Sequence, residues 1–142
     1  DFVRDLAGFF EDIYKKQVEE LEQLGIAHFY GFQSDPRPFY AEADCVVLPS
    51  YHEGMSNVLL EAAATGRPVI TSNIPGCRES VENGKSGLLV EVKNKEMLYQ
   101  AMKKMLHCSR EEREKMGKAG REKMKREFRK EAVVERTVRS LE

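Results

Sequence analysis

An α/β fold, a parallel sheet flanked by helices, is predicted by three features of the sequence. Short apolar runs alternate with stretches of helical length, the runs carry no polar alternation, and helix start signals stand in the gaps between them. Alternating strands and helices imply crossover connections, and crossovers imply parallel strands. Runs that are apolar throughout fit strands covered on both faces. At 142 residues and 41% hydrophobic content, the chain suits one domain with a real core and leaves no room for two.

The elements follow in order. Leu6, Phe9 or Phe10, Ile13, Leu21 and Leu24 recur at helical spacing before Gly25, which predicts one amphipathic helix over 6–24. His28-Phe29-Tyr30 is the first of four expected buried strands, followed by Cys45-Val46-Val47-Leu48, Pro68-Val69-Ile70-Thr71 and Gly87-Leu88-Leu89-Val90. Between them, Asp35-Pro36 offers an N-cap and a first helical residue, Ser56 precedes Val58-Leu59-Leu60, and Asn94 precedes Met97-Leu98. After His107 the pattern is helical only, and Ser109-Arg110-Glu111-Glu112 has the spacing of a capping box. The charges that follow, among them Arg121, Glu122, Lys123, Lys125, Arg126 and Glu127, read as a solvated helix face rather than a partner or membrane surface. The expected division is a sheet domain over 1–107 with helices of 108–142 packing on it.

Composition narrows the function. Lys and Arg number 23 against 24 Asp and Glu, a net charge of -1, so nothing points to nucleic acid. No apolar run approaches the roughly 20 residues of a membrane-spanning helix. The opening Asp1-Phe2-Val3-Arg4-Asp5 has neither an initiator Met nor the features of a signal peptide, which suggests part of a longer protein. Cys45, Cys77 and Cys108 are odd in number and widely spaced, as expected of free thiols in a reducing cytosol rather than a disulfide framework or zinc knuckle.

The chemistry concentrates in 49–61, which runs off a strand, through a small polar loop, into a helix. Loops at the carboxyl ends of parallel strands open into a crevice, and a helix N-terminus presents free N–H groups suited to phosphate. Gly54 and Ser56 keep the loop open to close approach. Glu61, about one turn into the helix, can accept hydrogen bonds from vicinal hydroxyls such as those of a ribose, and Glu53 can do the same for another sugar. His52-Glu53 is not a zinc-protease motif, because Ser56 stands where the second histidine would be. His28 and His107 have no cluster of ligating residues around them. Cys77 follows a strand without the signs of a reactive thiol, while Arg78 and Glu79 either reach a bound phosphate or sugar or cap a short helix, the cap being favoured.

Seven residues separate Glu53 from Glu61, and this Glu-x7-Glu arrangement resembles that of the retaining glycosyltransferases of family four and its relatives. Glu61-Ala62-Ala63-Ala64-Thr65-Gly66-Arg67-Pro68-Val69-Ile70 is similar to that family's Glu-Ala-x-Ala-x-Gly-x-Pro-Val segment. Phe29-Tyr30-Gly31-Phe32, Ala43-Asp44-Cys45-Val46-Val47-Leu48-Pro49-Ser50 and Gly84-Lys85-Ser86-Gly87-Leu88-Leu89-Val90 match as well. The resemblance covers about residues 10–106.

The resemblance implies the Rossmann-like C-terminal, donor-binding domain of a GT-B enzyme and transfer from a nucleoside-diphosphate sugar with retained configuration and no essential metal or other cofactor. It implies that Glu53, the catalytic candidate, contacts donor-sugar hydroxyls. Gly54, Met55, Ser56, Asn57, Val58 and Leu59 would meet the sugar and diphosphate, Glu61 would hold the ribose, and Phe32 and Gln33 would line the base pocket. A uridine diphosphate sugar is the expected donor, from the likeness of Ile74-Pro75-Gly76-Cys77-Arg78 to enzymes handling such sugars. The expected product is a polysaccharide or glycolipid, made in the cytoplasm or at the inner face of its membrane. An acceptor, sugar or lipid-linked, would bind an N-terminal domain absent here. The family's Arg and Lys on two earlier strands are also absent, so the fragment is expected to be inactive alone. The sheet would be a closed-up four-stranded one, completed by another chain, or one part of a larger whole. Competing readings are a non-catalytic nucleotide- or protein-binding module and a sugar-nucleotide epimerase of the same architecture.

Overall fold

The structure, a computed structural model, describes residues 5–7, 15–52, 54, 56–128 and 139. The elements are β1 (Asp5–Ala7), α1 (Lys15–Gln23), β2 (His28–Gly31), α2 (Arg37–Glu42), β3 (Val46–Leu48), α3 (Asn57–Ala64), β4 (Val69–Ser72), a 3-10 turn (Arg78–Ser80), β5 (Gly87–Val90), α4 (Lys95–His107) and α5 (Arg110–Glu127). They fall into two compact units, Asp1–Phe39 and Tyr40–Glu142.

The second unit carries a parallel sheet of order β3-β4-β5. Every residue of the middle strand is buried. Successive strand residues face opposite ways, and the sheet accordingly has two cores. Val69 packs with Leu59 and Ala62 of α3, Tyr40, Cys77 and Val81, joined by Val46, Leu48 and Leu89. Ile70 packs with Leu88, Val90, and Ala101 and Met105 of α4, joined by Val47 and Met116. Helices thus cover both faces, as uninterrupted apolar strands require.

Two glycines set how closely these layers approach. A Cβ on Gly87 would lie 2.1 Å from the Val69 carbonyl oxygen of the neighbouring strand, and one on Gly117 would lie 1.8 Å from the Gly66 carbonyl oxygen. Gly117 therefore allows α5 to lie directly on the turn that follows α3. The expected caps are formed: Asn94 accepts from the Met97 amide at 2.9 Å, and Ser109 and Glu112 make the reciprocal bonds of a capping box at 3.1 and 2.7 Å.

The first unit is thinner. β1 and β2 form a two-stranded parallel ladder with an irregularity between Leu6 and Ala7. α1 buries none of its residues, and exposure alternates along β2. Glu22 ties α1 to β2 by accepting from the Phe29 amide at 2.8 Å, and the Tyr30 and Phe39 rings meet edge to face at 5.0 Å.

Three expectations are corrected. Leu6 belongs to a strand, not to a helix over 6–24; Phe9, Phe10 and Ile13 lie outside the described residues, and the helix described is Lys15–Gln23. A stretch as short as Asp5-Leu6-Ala7 fits either period, and pairing with β2 decides for the strand. β2 is not buried on both faces: its residues alternate between exposed and half-buried, and the described ladder gives it one neighbour. Finally, the four expected strands do not close into one sheet, since β2 pairs with β1 while β3, β4 and β5 pair among themselves.

Candidate functional site

The three strands of the second unit are parallel, so their carboxyl ends lie on one side, where open α/β sheets receive ligands. From the end of β3 the chain passes through Pro49-Ser50-Tyr51-His52 and Gly54 to Ser56, which starts α3. Glu53 and Met55 lie outside the described residues, and Gly54 is exposed with open space where a side chain would stand.

Ser56 is built in firmly. It is buried, its hydroxyl accepts from the Leu59 amide at 3.4 Å, and its own amide donates to the Gly76 carbonyl at 3.1 Å. The second bond docks the loop after β4 onto the loop after β3. The Leu60 amide donates to the Ser56 carbonyl. Of the four N-terminal amides that a helix leaves without an intrahelical partner, the cap engages that of Leu59. The amides of Asn57 and Val58, both exposed residues at the tip, remain to face an anion. The partial positive charge of the helix terminus adds to them.

The roles implied for 54–59 are therefore narrowed. Leu59 was expected among the donor contacts, but its side chain is wholly buried in the core between α3 and the sheet, so it cannot present that side chain to a sugar. Its apolar neighbours Val69 and Val81 provide the reason. Glu61 is exposed on α3 and borders an open groove of about 500 Å³, lined also by Leu60, Ala64, Arg121, Met124, Lys125 and Phe128. A smaller recess of about 100 Å³ at the strand ends is lined by Pro49, Tyr51, Ser72 and the start of α4, and Lys93 lies over the Tyr51 ring at 5.4 Å.

The Glu79 carboxylate accepts from the Gly76 amide at 2.8 Å, which ties down the loop that receives Ser56. Cys77 is fully buried in the core, away from reagents and ligands. Cys45 is largely enclosed, and burial pushes its thiol up to about 12, opposite to the shift that activates a nucleophile. All three cysteines are free. Among the described residues, no group of three or more His, Cys, Asp and Glu side chains is placed to hold a metal, and no helix is long and apolar enough to cross a membrane.

Phe32 and Gln33 belong to the first unit. Phe32 is exposed and Gln33 donates its side-chain amide to the Tyr30 carbonyl at 2.8 Å. Gly31, with φ +67°, provides the turn from β2 into this pair.

Sequence reasoning missed Tyr40. Its ring packs in the core beneath α3, its hydroxyl is shielded from solvent without a hydrogen bond, and burial together with the Glu61 carboxylate pushes the phenol up to about 12. A tyrosine before Ala41-Glu42-Ala43 carries no local signal of that depth; only the packing of α2 against α3 reveals it.

Comparison with known proteins gives the chain relatives in sequence and in fold. The chain is 31% identical over 124 residues to the lipopolysaccharide core biosynthesis glycosyltransferase LpsE of Rhizobium meliloti, covering 87% of this chain and 36% of the relative. It is 33% identical over 102 residues to the capsular polysaccharide biosynthesis glycosyltransferase CapM of Staphylococcus aureus, covering 72% of this chain and 27% of that one. The fold matches that of Anabaena HepE in complex with UDP, with a TM-score of 0.78 and 23% identity over 96% of this chain and 40% of the other. The chain thus spans between about a quarter and two fifths of the length of these three proteins. Residues 6–123 match the family described as Glycosyl transferases group 1, and the chain belongs to that family.

Proposed function

We propose that this chain binds the donor of a retaining glycosyltransferase, a nucleoside-diphosphate sugar, with a UDP-sugar the first candidate. The observation that carries the reading is the junction of β3 and α3. A capped helix leaves the Asn57 and Val58 amides at its tip and carries Glu61 one turn further on, at the carboxyl end of a parallel sheet. In this reading the two amides hold the diphosphate, Glu61 accepts from the ribose hydroxyls, and Glu53 contacts the donor sugar.

The diphosphate departs as an anion, and donors aimed at the charge as it develops stabilise the transition state most. The helix tip supplies part of that stabilisation. A cationic pair elsewhere in the whole protein supplies the rest, and no metal is required. The acceptor is a growing polysaccharide or a glycolipid, in keeping with the names of LpsE and CapM, and the reaction belongs to the cytoplasm or the inner face of its membrane. UDP is chosen as the first probe because HepE was crystallised with it; a likeness of 23% carries the fold and leaves the base to be measured.

The test is calorimetric titration of the protein and its Glu61→Ala variant with UDP, GDP and UDP-sugars. Saturable binding lost in the variant is expected, with UDP ahead of GDP. Equal binding by both proteins would remove Glu61 from the site, and no binding by the folded protein would remove the donor reading.

A further inference from the structure

We propose that Lys93 is a positioning residue for the donor sugar: its ammonium group clasps the Tyr51 ring and so holds the middle of the loop after β3. The inference rests on the reading of the β3–α3 junction as the donor site and adds to it a residue from the loop after β5.

Lys93 stands where the backbone does not favour a lysine. Glu91-Val92-Lys93-Asn94 is a turn closed by the Asn94 amide on the Glu91 carbonyl at 3.3 Å, and Lys93, at its third position, has φ +60°. Turns with positive φ at that position ordinarily carry glycine or asparagine there, because other side chains are strained in the left-handed region. Among the described residues, Lys93 is the one non-glycine with positive φ. The asparagine that follows it is engaged elsewhere, capping α4 by accepting from the Met97 amide at 2.9 Å. Lys93 is exposed, so burial does not account for the choice either. Residues kept in unfavourable backbone regions cluster where a function holds them.

The Lys93 side chain reaches Tyr51. Its Nζ lies 5.4 Å from the centre of the ring, within the range of a cation–π contact. The contact joins the loop after β5 to the loop after β3 across β4, at the carboxyl ends of the strands, and both residues line the recess of about 100 Å³ there. The loop after β3 is pinned at its two ends. The Leu48 carbonyl accepts from the Thr71 hydroxyl at 2.8 Å, and the Ser56 amide donates to the Gly76 carbonyl at 3.1 Å. Between these pins Tyr51, His52 and Gly54 are exposed.

A stretch held at its ends keeps backbone freedom that it gives up when a ligand binds. A tie in the middle removes part of that loss beforehand, as preorganisation does in general. The start of α3 is already fixed by the Ser56 cap, so the diphosphate gains little from the clasp. The sugar, which the donor reading places against the loop ahead of that cap, gains most.

The test is calorimetric titration with UDP and with the UDP-sugar that the unmodified protein binds most tightly, UDP-glucose being the first tried. The variants are Lys93→Met, Lys93→Gly, Lys93→Arg, Tyr51→Leu and the double variant of Tyr51→Leu with Lys93→Met. Loss of an exposed cation–π contact predicts that Lys93→Met, Lys93→Gly and Tyr51→Leu each weaken the UDP-sugar roughly twofold to fivefold. UDP should bind all of them as it binds the unmodified protein, and Lys93→Arg, which keeps a cation over the ring, should retain the UDP-sugar. Once Tyr51 is Leu, Lys93→Met should change little more, because the two residues act as one unit. Lys93→Gly should melt at a higher temperature than Lys93→Met, since glycine relieves the turn, yet lose the same affinity. A merely structural lysine would not separate stability from binding in this way. Parallel weakening of UDP and the UDP-sugar, unaltered UDP-sugar binding in Lys93→Met, equal losses in Lys93→Arg and Lys93→Met, or additive losses in the double variant would each overturn the clasp and leave the donor reading standing. No binding of UDP or any UDP-sugar by the folded, unmodified protein would remove the donor reading and the clasp with it.

Discussion

The two units use the same strand-and-helix alternation and obtain different results from it. In Tyr40–Glu142 the middle strand is buried along its whole length and both faces are covered by helices. In Asp1–Phe39 the described ladder has two strands, α1 buries nothing, and Ala27 is the one fully buried hydrophobic residue among those described. A parallel sheet is stable when both faces are dry, and a two-stranded ladder by itself is marginal. The lesson is that the candidate phosphate-binding helix tip stands on the well-packed unit, where its geometry can be held. Phe32 and Gln33, offered for the base, stand on the unit with little core of its own.

The largest expected effect breaks the packed unit. Leu59→Ala empties a fully buried position beneath α3 and should cost about 2–5 kcal/mol by urea unfolding. Leu21→Ala in α1, 38% exposed, should cost less than about 1 kcal/mol. Similar costs at the two positions would mean that the units share one core.

Glycines sharpen the contrast next. Gly117→Ala places a methyl group against the Gly66 carbonyl and should cost about 2–3 kcal/mol, since neither backbone can yield easily. Gly31→Ala meets no atom within 4 Å and is penalised only for its φ of +67°, about 1–2 kcal/mol. Both are read in the same unfolding experiment. Native-state hydrogen exchange checks the comparison without mutation: amides of β4 should exchange by global unfolding, and those of β2 by local opening.

Much of the packed unit was legible in the sequence because its signals are local and agree with one another. Val69-Ile70-Thr71 is apolar, short and flanked by a proline, and the caps at Ser56, Asn94 and Ser109 are spelled out by residue type. The first unit was misread where the signal is brief. Leu6 satisfies a helical period and a strand equally, and only its partner His28–Gly31 separates them. At the candidate site, the start of α3 at Ser56 was legible from the polar loop that follows a strand. That the Leu59 side chain lies in the core was not, because adjacent helical residues point to different sides and a contiguous segment mixes core with surface. The depth of Tyr40 was invisible because its burial depends on packing between separate elements.

The smallest effect lies at the edge of the packed unit, where Glu82 is held by Lys85 at 3.3 Å within one turn and by Arg126 of α5 at 3.1 Å. The Lys85 hydrogen bond is the largest influence; with the charges of Lys85, Arg126 and Lys123 it outweighs the opposing desolvation and keeps the Glu82 carboxyl below its usual 4.5. A carboxyl depressed in the folded state binds its proton more readily when unfolded, so it contributes stability above about 4.5 that is lost as pH falls through the folded value. Lys85→Met should therefore flatten the acid limb of the stability curve more than Arg126→Met does. Both effects should be small, because exposed pairs are well screened, and both should fade in high salt. A larger loss in Arg126→Met would show that the long-range pair docks α5 rather than merely decorating it, and would move the packed unit's edge from local turn chemistry to tertiary electrostatics.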